Sequence, residues 1–262
     1  MRAGMIILLG MFIAAGFLSA PAAGETTAEI KDCKITVTVK LAFKGPGATS
    51  EFINKTKRAV SRKYNIPGFT YGGCKCPVKV EVDIIKVNSC PPPNDRHCIN
   101  IKNITIRPGQ FHRSWVRAGK WGSPKIRSGD GEWNKDDSEN VIAHEIGHLL
   151  GLDDEYSDVH IEFTIYANGS LVITSANVTY GSMNASAAQN ISMGFVNSSL
   201  SAWNLTPGSY HINVSLPNPG VNGSSLMGTA AATPNACVMQ GHINKICRDA
   251  GIKCPDECCC KN

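Results

Sequence analysis

Between positions 144 and 154 the chain reads HEIGHLLGLDD, two imidazoles and three carboxylates in a short span. His144 and His148 are four residues apart, so on a helix they stand one above the other on the same face. Imidazole nitrogens placed this way reach one Zn²⁺ at about 2.0–2.1 Å. Glu145 sits about 100° further round a helix, where a carboxylate addresses a water beside the metal rather than the metal. Three protein ligands leave a fourth position open, and zinc lowers the pKa of a water there to about 7. A glutamate beside that water takes its proton and hands it to a leaving amine. The chemistry such a set serves is hydrolysis.

The third ligand depends on how the helix ends. Gly151 follows His148 by three residues, and glycine takes positive φ without steric strain, so the chain turns off the helix and a nearby residue returns to the histidines. Asp153 and Asp154 both follow. The series His144-Glu145-x-x-His148-x-x-Gly151-x-x-Asp154 resembles the elongated zinc signature of the metzincin metalloproteases, HExxHxxGxxH/D, in its aspartate variant. The register of that signature selects Asp154, and Glu155-Tyr156 resembles the DEY of secreted microbial metzincin-like sequences. Ser225-Leu226-Met227-Gly228 is similar to the family's Met-turn, which implies that Met227 floors the histidines without touching zinc.

The resemblance spans about Cys33 to Cys247, with its specific residues in those two stretches. It implies a zinc-dependent endopeptidase with Glu145 as general base and a protein or peptide substrate lying extended along an edge strand. We assign that edge to Ser114–Trp121. Some metzincin groups carry a tyrosine two residues after the methionine; this chain has Thr229 there, which leaves Tyr156 as a candidate oxyanion donor.

The positioning elements are legible as periodicities. Lys34–Phe43 alternates strictly, as do Val78, Val80, Val82 and Ile84, and each pattern predicts a half-buried strand. Thr49 or Ser50 is suited to cap a helix reaching Tyr64. Cys98–Arg107 predicts a third strand whose apolar residues slip by one, suggesting a bulge. Gly129–Asp137 reads as turn. Asp136 or Ser138 is placed to cap a helix from Glu139 to Leu150, and a last helix is expected near Gln240–Ala250. The fold class is therefore α+β, a twisted mixed sheet with helices packed on it; the resemblance implies that this is a zincin- or metzincin-like sheet with an active-site helix, in a catalytic domain over 25–262. Residues 157–223 nearly lack charge, are rich in Ser, Asn, Thr and Gly, and read as a β-rich insertion within it. A separate small β module is the other reading of that stretch.

Residues 1–22 read as a cleaved signal peptide: Arg2, an apolar run from Met5 to Leu18, and Ala20-Pro21-Ala22. The run is short of the about 20 residues a membrane span needs, and no other segment is apolar enough, so a secreted or surface-retained protein is expected. Eleven cysteines fit an oxidising compartment. Cys33 reads as a disulfide partner rather than a zinc-blocking thiol, and Cys258 to Cys260 are expected to pair with distant partners such as Cys237 or Cys247. Eight of ten Asn-x-Ser/Thr sequons fall between Asn168 and Asn222, which suits a glycoprotein surface. A net charge of +5, spread along the chain, does not argue for nucleic acid. The composition also suits a second class, a glycosylated adhesion protein whose zinc is structural or vestigial. That reading expects a fourth protein ligand such as His160 or His211.

Overall fold

A computed structural model describes residues 26–72, 75–91, 96–104, 114–116, 131–203, 205–219, 224–228 and 236–253. The signal segment 1–22, Thr229, and cysteines 74, 254 and 258 to 260 lie outside these residues.

The chain opens with a hairpin, β1 (Thr26–Lys31) and β2 (Lys34–Lys44), turned at Asp32 and Cys33, whose φ angles are 48° and 55°. Two consecutive positive φ values match the primed two-residue turn that follows strand twist. α1 (Ser50–Tyr64) begins where Thr49 accepts the Phe52 amide at 3.2 Å. It buries Phe52, Thr56, Ala59, Val60 and Tyr64, the spacing of one helical face. β3 (Thr70–Tyr71), β4 (Cys76–Lys86), β5 (His97–Lys102), β6 (Trp115–Val116) and β7 (Gly131–Asn134) complete the main sheet.

In that sheet β4, β2, β5 and β7 run parallel, β3 and β6 pair antiparallel at the two ends of the order, and β1 lies along β2. α1 packs against α2 (Glu139–Leu149) and β4, and Arg58 and Arg62 of α1 clasp Glu139 at 3.1 and 3.0 Å. The core joins Ile35, Val37, Val39, Leu41 and Phe43 of β2 to Phe52, Tyr64, Trp133, Ile142 and Ile146.

Beyond α2 come β8 (Tyr156–Ile165), β9 (Leu171–Tyr180), α3 (Ala185–Trp203) and β10 (Gly208–Pro217). The strands form a separate antiparallel sheet in the order β10-β8-β9, with its own apolar cluster around Val159, Ile161, Phe163, Ala188 and Val196. The outer face carries His160, Glu162, His211 and Asn213. α4 (Gln240–Asp249) closes the described fold and contacts β3.

The architecture is mixed α+β, as expected, but several local readings change. α3 places a 19-residue helix inside the stretch expected to be β-rich. β7 occupies part of the expected turn, because Gly131 has room only for hydrogen: a Cβ there would meet Ile99 Cδ1 and Val116 Cγ1 at 2.8 Å. The apolar slip after Ile101 marks the end of β5 rather than a bulge. Asn103 and Ile104 leave the ladder, and the Asn134 side chain satisfies Ile104 N and O at 3.3 and 2.8 Å.

Cys90 joins Cys98, and Cys33 is disulfide-bonded, whereas Cys237 and Cys247 are free thiols, against the expectation that they serve the C-terminal cysteines. All the sequon asparagines among the described residues, 54, 103, 168, 177, 184, 190, 197 and 213, are exposed. No helix among the described residues is long and apolar enough to cross a membrane.

Candidate metal centre

Ser138, one of two expected caps, starts α2 by accepting the Val141 amide at 3.2 Å. The helix ends in a Schellman motif. Gly151 has φ of 81°, its amide bonds His148 O at 2.9 Å, and the Leu152 amide bonds Gly147 O at 2.9 Å. Lys245 of α4 donates to Gly151 O at 2.7 Å, fixing the turn from outside. This turn sends the chain back along the helix, and Asp154 arrives at the histidines.

His144, His148 and Asp154 form the one cluster of metal-ligating type among the described residues. The two Nε2 atoms are 3.1 Å apart, and Asp154 Oδ1 lies 3.2 Å from His144 Nε2 and 3.3 Å from His148 Nε2. Ligands about 2.05 Å from a tetrahedral zinc are separated by about 3.3 Å, so these three atoms describe one face of such a tetrahedron. The far ring nitrogens are committed elsewhere: His144 Nδ1 donates to Leu226 O at 2.8 Å and His148 Nδ1 to Leu152 O at 2.9 Å. Each Nε2 lone pair is thereby turned toward the shared point, the arrangement that prepares histidine for a metal. The donor set fits zinc.

Asp153 points away, with its side chain 82% exposed against 5% for Asp154. Burial favours a neutral Asp154, yet its contacts with His144 and His148 outweigh this and hold it well below the usual carboxylate range. Burial likewise disfavours charge on His148, but the hydrogen bond and charge of Asp154, with Glu145, raise it overall. The ligand pocket thus holds its carboxylate ionised and draws positive charge.

Glu145 is buried beside this cluster, and its Oε2 has no hydrogen-bond partner among the described residues. Burial pushes its carboxyl up to about 7, against the two histidines and with help from Asp154 and Asp137. Asp137 is itself buried, accepting from Ser114 Oγ and from the Asn134 amide at 2.9 Å. α2 is more enclosed than an amphipathic helix: His144 and Glu145 are buried along with Ile142 and Ile146.

Met227 is fully buried against α2, its sulfur occupying the space a Gly147 side chain would need. The sequence signal for this fit is the glycine inside the HExxH interval, Gly147. Tyr156, at the start of β8, is buried with its ring stacked beside His144, centroids 6.4 Å apart. His160 and His211 lie on the outer face of the small sheet, ring to ring at 6.2 Å, and are not part of the cluster. Of the expected substrate edge, Trp115 and Val116 form the antiparallel end strand of the main sheet, and 117–121 lie outside the described residues.

No protein-family model matches the chain, and no curated protein matches it significantly.

Proposed function

We propose that the chain is a secreted zinc-dependent endopeptidase of metzincin type, with His144, His148 and Asp154 as ligands and Glu145 as general base. One observation carries the reading: three ligand atoms 3.1–3.3 Å apart stand beside a buried carboxylate with an unpartnered oxygen. A purely structural site has no need of that carboxylate.

Zinc, when bound, supplies Lewis acidity that makes a water nucleophilic near neutral pH. The residues do the rest. Leu226 O and Leu152 O orient the two imidazoles. Glu145, in a dry setting that brings its proton affinity near neutrality, takes the proton of the attacking water and passes it to the leaving amine nitrogen. Tyr156 is the candidate donor to the developing oxyanion. Trp115–Val116, at the sheet edge, offers main-chain groups to an extended peptide. What supports a metzincin fold is the mixed sheet, with four parallel strands between antiparallel end strands, together with the helix carrying the motif and the Met227 turn beneath it.

The test is a peptide library incubated with the purified chain, with and without zinc. Cleavage should require zinc and vanish in Glu145→Ala while that variant keeps its metal. Cleavage that survives in Glu145→Ala defeats the mechanism, and a chain that takes up no zinc defeats the class.

A further inference from the structure

The signature ends at Asp154, but the next residue is hydrogen-bonded through its amide, its carbonyl and both carboxylate oxygens. Glu155 touches three separate pieces of the chain. Its amide donates to Met227 O at 2.9 Å, and its carbonyl accepts the Asn218 amide at 2.9 Å. Its Oε2 accepts a short hydrogen bond from Ser225 Oγ, and its Oε1 faces His242 Nε2 at 3.0 Å. The His242 tautomer is set locally: Nδ1 accepts the Met239 amide at 3.1 Å, so Nε2 carries hydrogen and donates to Glu155.

Ser225 is buried, and its Oγ also accepts the Met227 amide at 3.3 Å. Glu155 therefore holds both ends of Ser225-Leu226-Met227, through the Ser225 hydroxyl and the Met227 carbonyl. The residue between them is the one whose carbonyl orients His144. In the sequence direction, Glu155 is joined by a single peptide bond to Asp154, whose oxygen meets both imidazoles.

We infer that Glu155 is the positioning residue of the metal centre, a brace that fixes the Leu226 carbonyl against His144 and the Asp154 carboxylate against both histidines. This rests on the zinc reading above. Glu155 contacts neither ligand nitrogen and is not a catalytic residue; it acts through Leu226 and Asp154. Its neighbour Asp153, mostly exposed, makes none of these contacts among the described residues, and its side chain approaches Lys245 Nζ at 3.9 Å. Partners of this kind that orient ligands change metal affinity by about 10–100-fold when removed.

The experiment measures zinc affinity of the full chain by competition with a chromophoric chelator, and the visible spectrum of the cobalt-substituted protein. Wild type, Glu155→Ala, Glu155→Gln and Ser225→Ala are compared, with the thermal midpoint of each metal-free form alongside. Glu155→Ala should bind zinc about 10–100-fold more weakly and shift the cobalt spectrum. Glu155→Gln, which keeps an acceptor oxygen, should recover part of both. Ser225→Ala should move in the same direction by less, and it decides the matter if Glu155→Ala does not fold. A lower thermal midpoint with unchanged zinc affinity and cobalt spectrum would show a merely structural role and overturn the inference. A wild type that binds no zinc removes the zinc reading as well, whereas normal wild-type binding with unaltered variants removes this inference alone.

Discussion

The sulfur of Met227 fills the place where Gly147 would carry a side chain. A Cβ on Gly147 would fall on that sulfur and lie 2.9 Å from the Tyr64 hydroxyl, which is itself tied to Ala143 O at 2.9 Å. The floor of the site and the helix above it are thus fitted at one glycine, the residue directly before His148.

Gly147→Ala sets two effects against each other. Alanine is favoured over glycine inside a helix by about 1 kcal/mol, and overpacking a core costs about 1–3 kcal/mol. Met227 and Tyr64 are both fully buried, and Tyr64 is hydrogen-bonded, so neither yields easily. Overpacking should win, with a net loss of up to about 2 kcal/mol in urea unfolding of the metal-free chain. An alanine variant more stable than wild type would show that the sulfur is not pinned there.

Neighbouring aspartates give a sharp contrast. Asp154→Ala should remove stoichiometric zinc binding as His148→Ala does, because each deletes one of three donors. Asp153→Ala should bind zinc like wild type, its side chain being largely exposed. Equilibrium dialysis with elemental analysis checks all three. Calorimetry in buffers of different ionisation enthalpy should also record proton release on binding, since His148 must surrender any proton it holds.

Glu145 exchanges stability for reactivity in the metal-free chain. Its folded carboxyl titrates near 7, well above the ordinary value of 4.5, so between those values the folded state binds more protons than the unfolded one. Stability therefore falls as pH rises from about 4.5 to about 7. Glu145→Gln removes the buried charge, so its thermal midpoint without metal should exceed that of wild type at pH 7.5, and the two should converge near pH 4. Peptide cleavage by the same variant should fall by at least about 10²-fold, the usual worth of a positioned general base.

His97 has the opposite dependence. Burial pushes its imidazole down to about 4, while Nε2 shares a hydrogen bond with Thr26 Oγ1 at 3.0 Å. Between pH 6.5 and 4 the unfolded chain binds the extra proton, so stability drops as pH falls through that window, by an amount on the order of 3 kcal/mol at most. His97→Gln should flatten this part of the stability–pH curve measured by denaturant midpoints. An unchanged slope would place the acid sensitivity elsewhere.

The elements with a clean period were readable without a structure. β2 and β4 follow their alternation, α1 and α2 begin at Thr49 and Ser138, and the turn at Gly151 brings Asp154 rather than Asp153 to the histidines. What hid the rest is also physical. α3 buries Ala188, Ser192 and Val196 at every fourth position, and the serine breaks the apolar stripe while the absence of charge removes the usual solvent face. Its start had a cue in Asn184, whose side chain accepts the Ala187 amide at 2.8 Å. β7 shows no alternation because Gly131 is required by close neighbours and Asn134 is buried for its hydrogen bonds. Glu155, Ser225 and His242 are far apart in the chain, and only their meeting in space reveals the brace.

The small sheet begins and ends at one place. Tyr156 at the start of β8 is the register partner of Pro217 at the end of β10, and the Ser157 hydroxyl and Asn218 amide group lock the same root at 2.7 Å. The sixty-odd residues between leave and rejoin the parent chain across one interstrand spacing of about 5 Å. Their end-to-end closure is accomplished by their own ladder, so the strain of a long excursion is not passed on to Asp154 on one side or Met227 on the other. That root is a grafting point. Whatever occupies it, long or short, decorated or bare, the two halves of the centre see the same pair of chain ends.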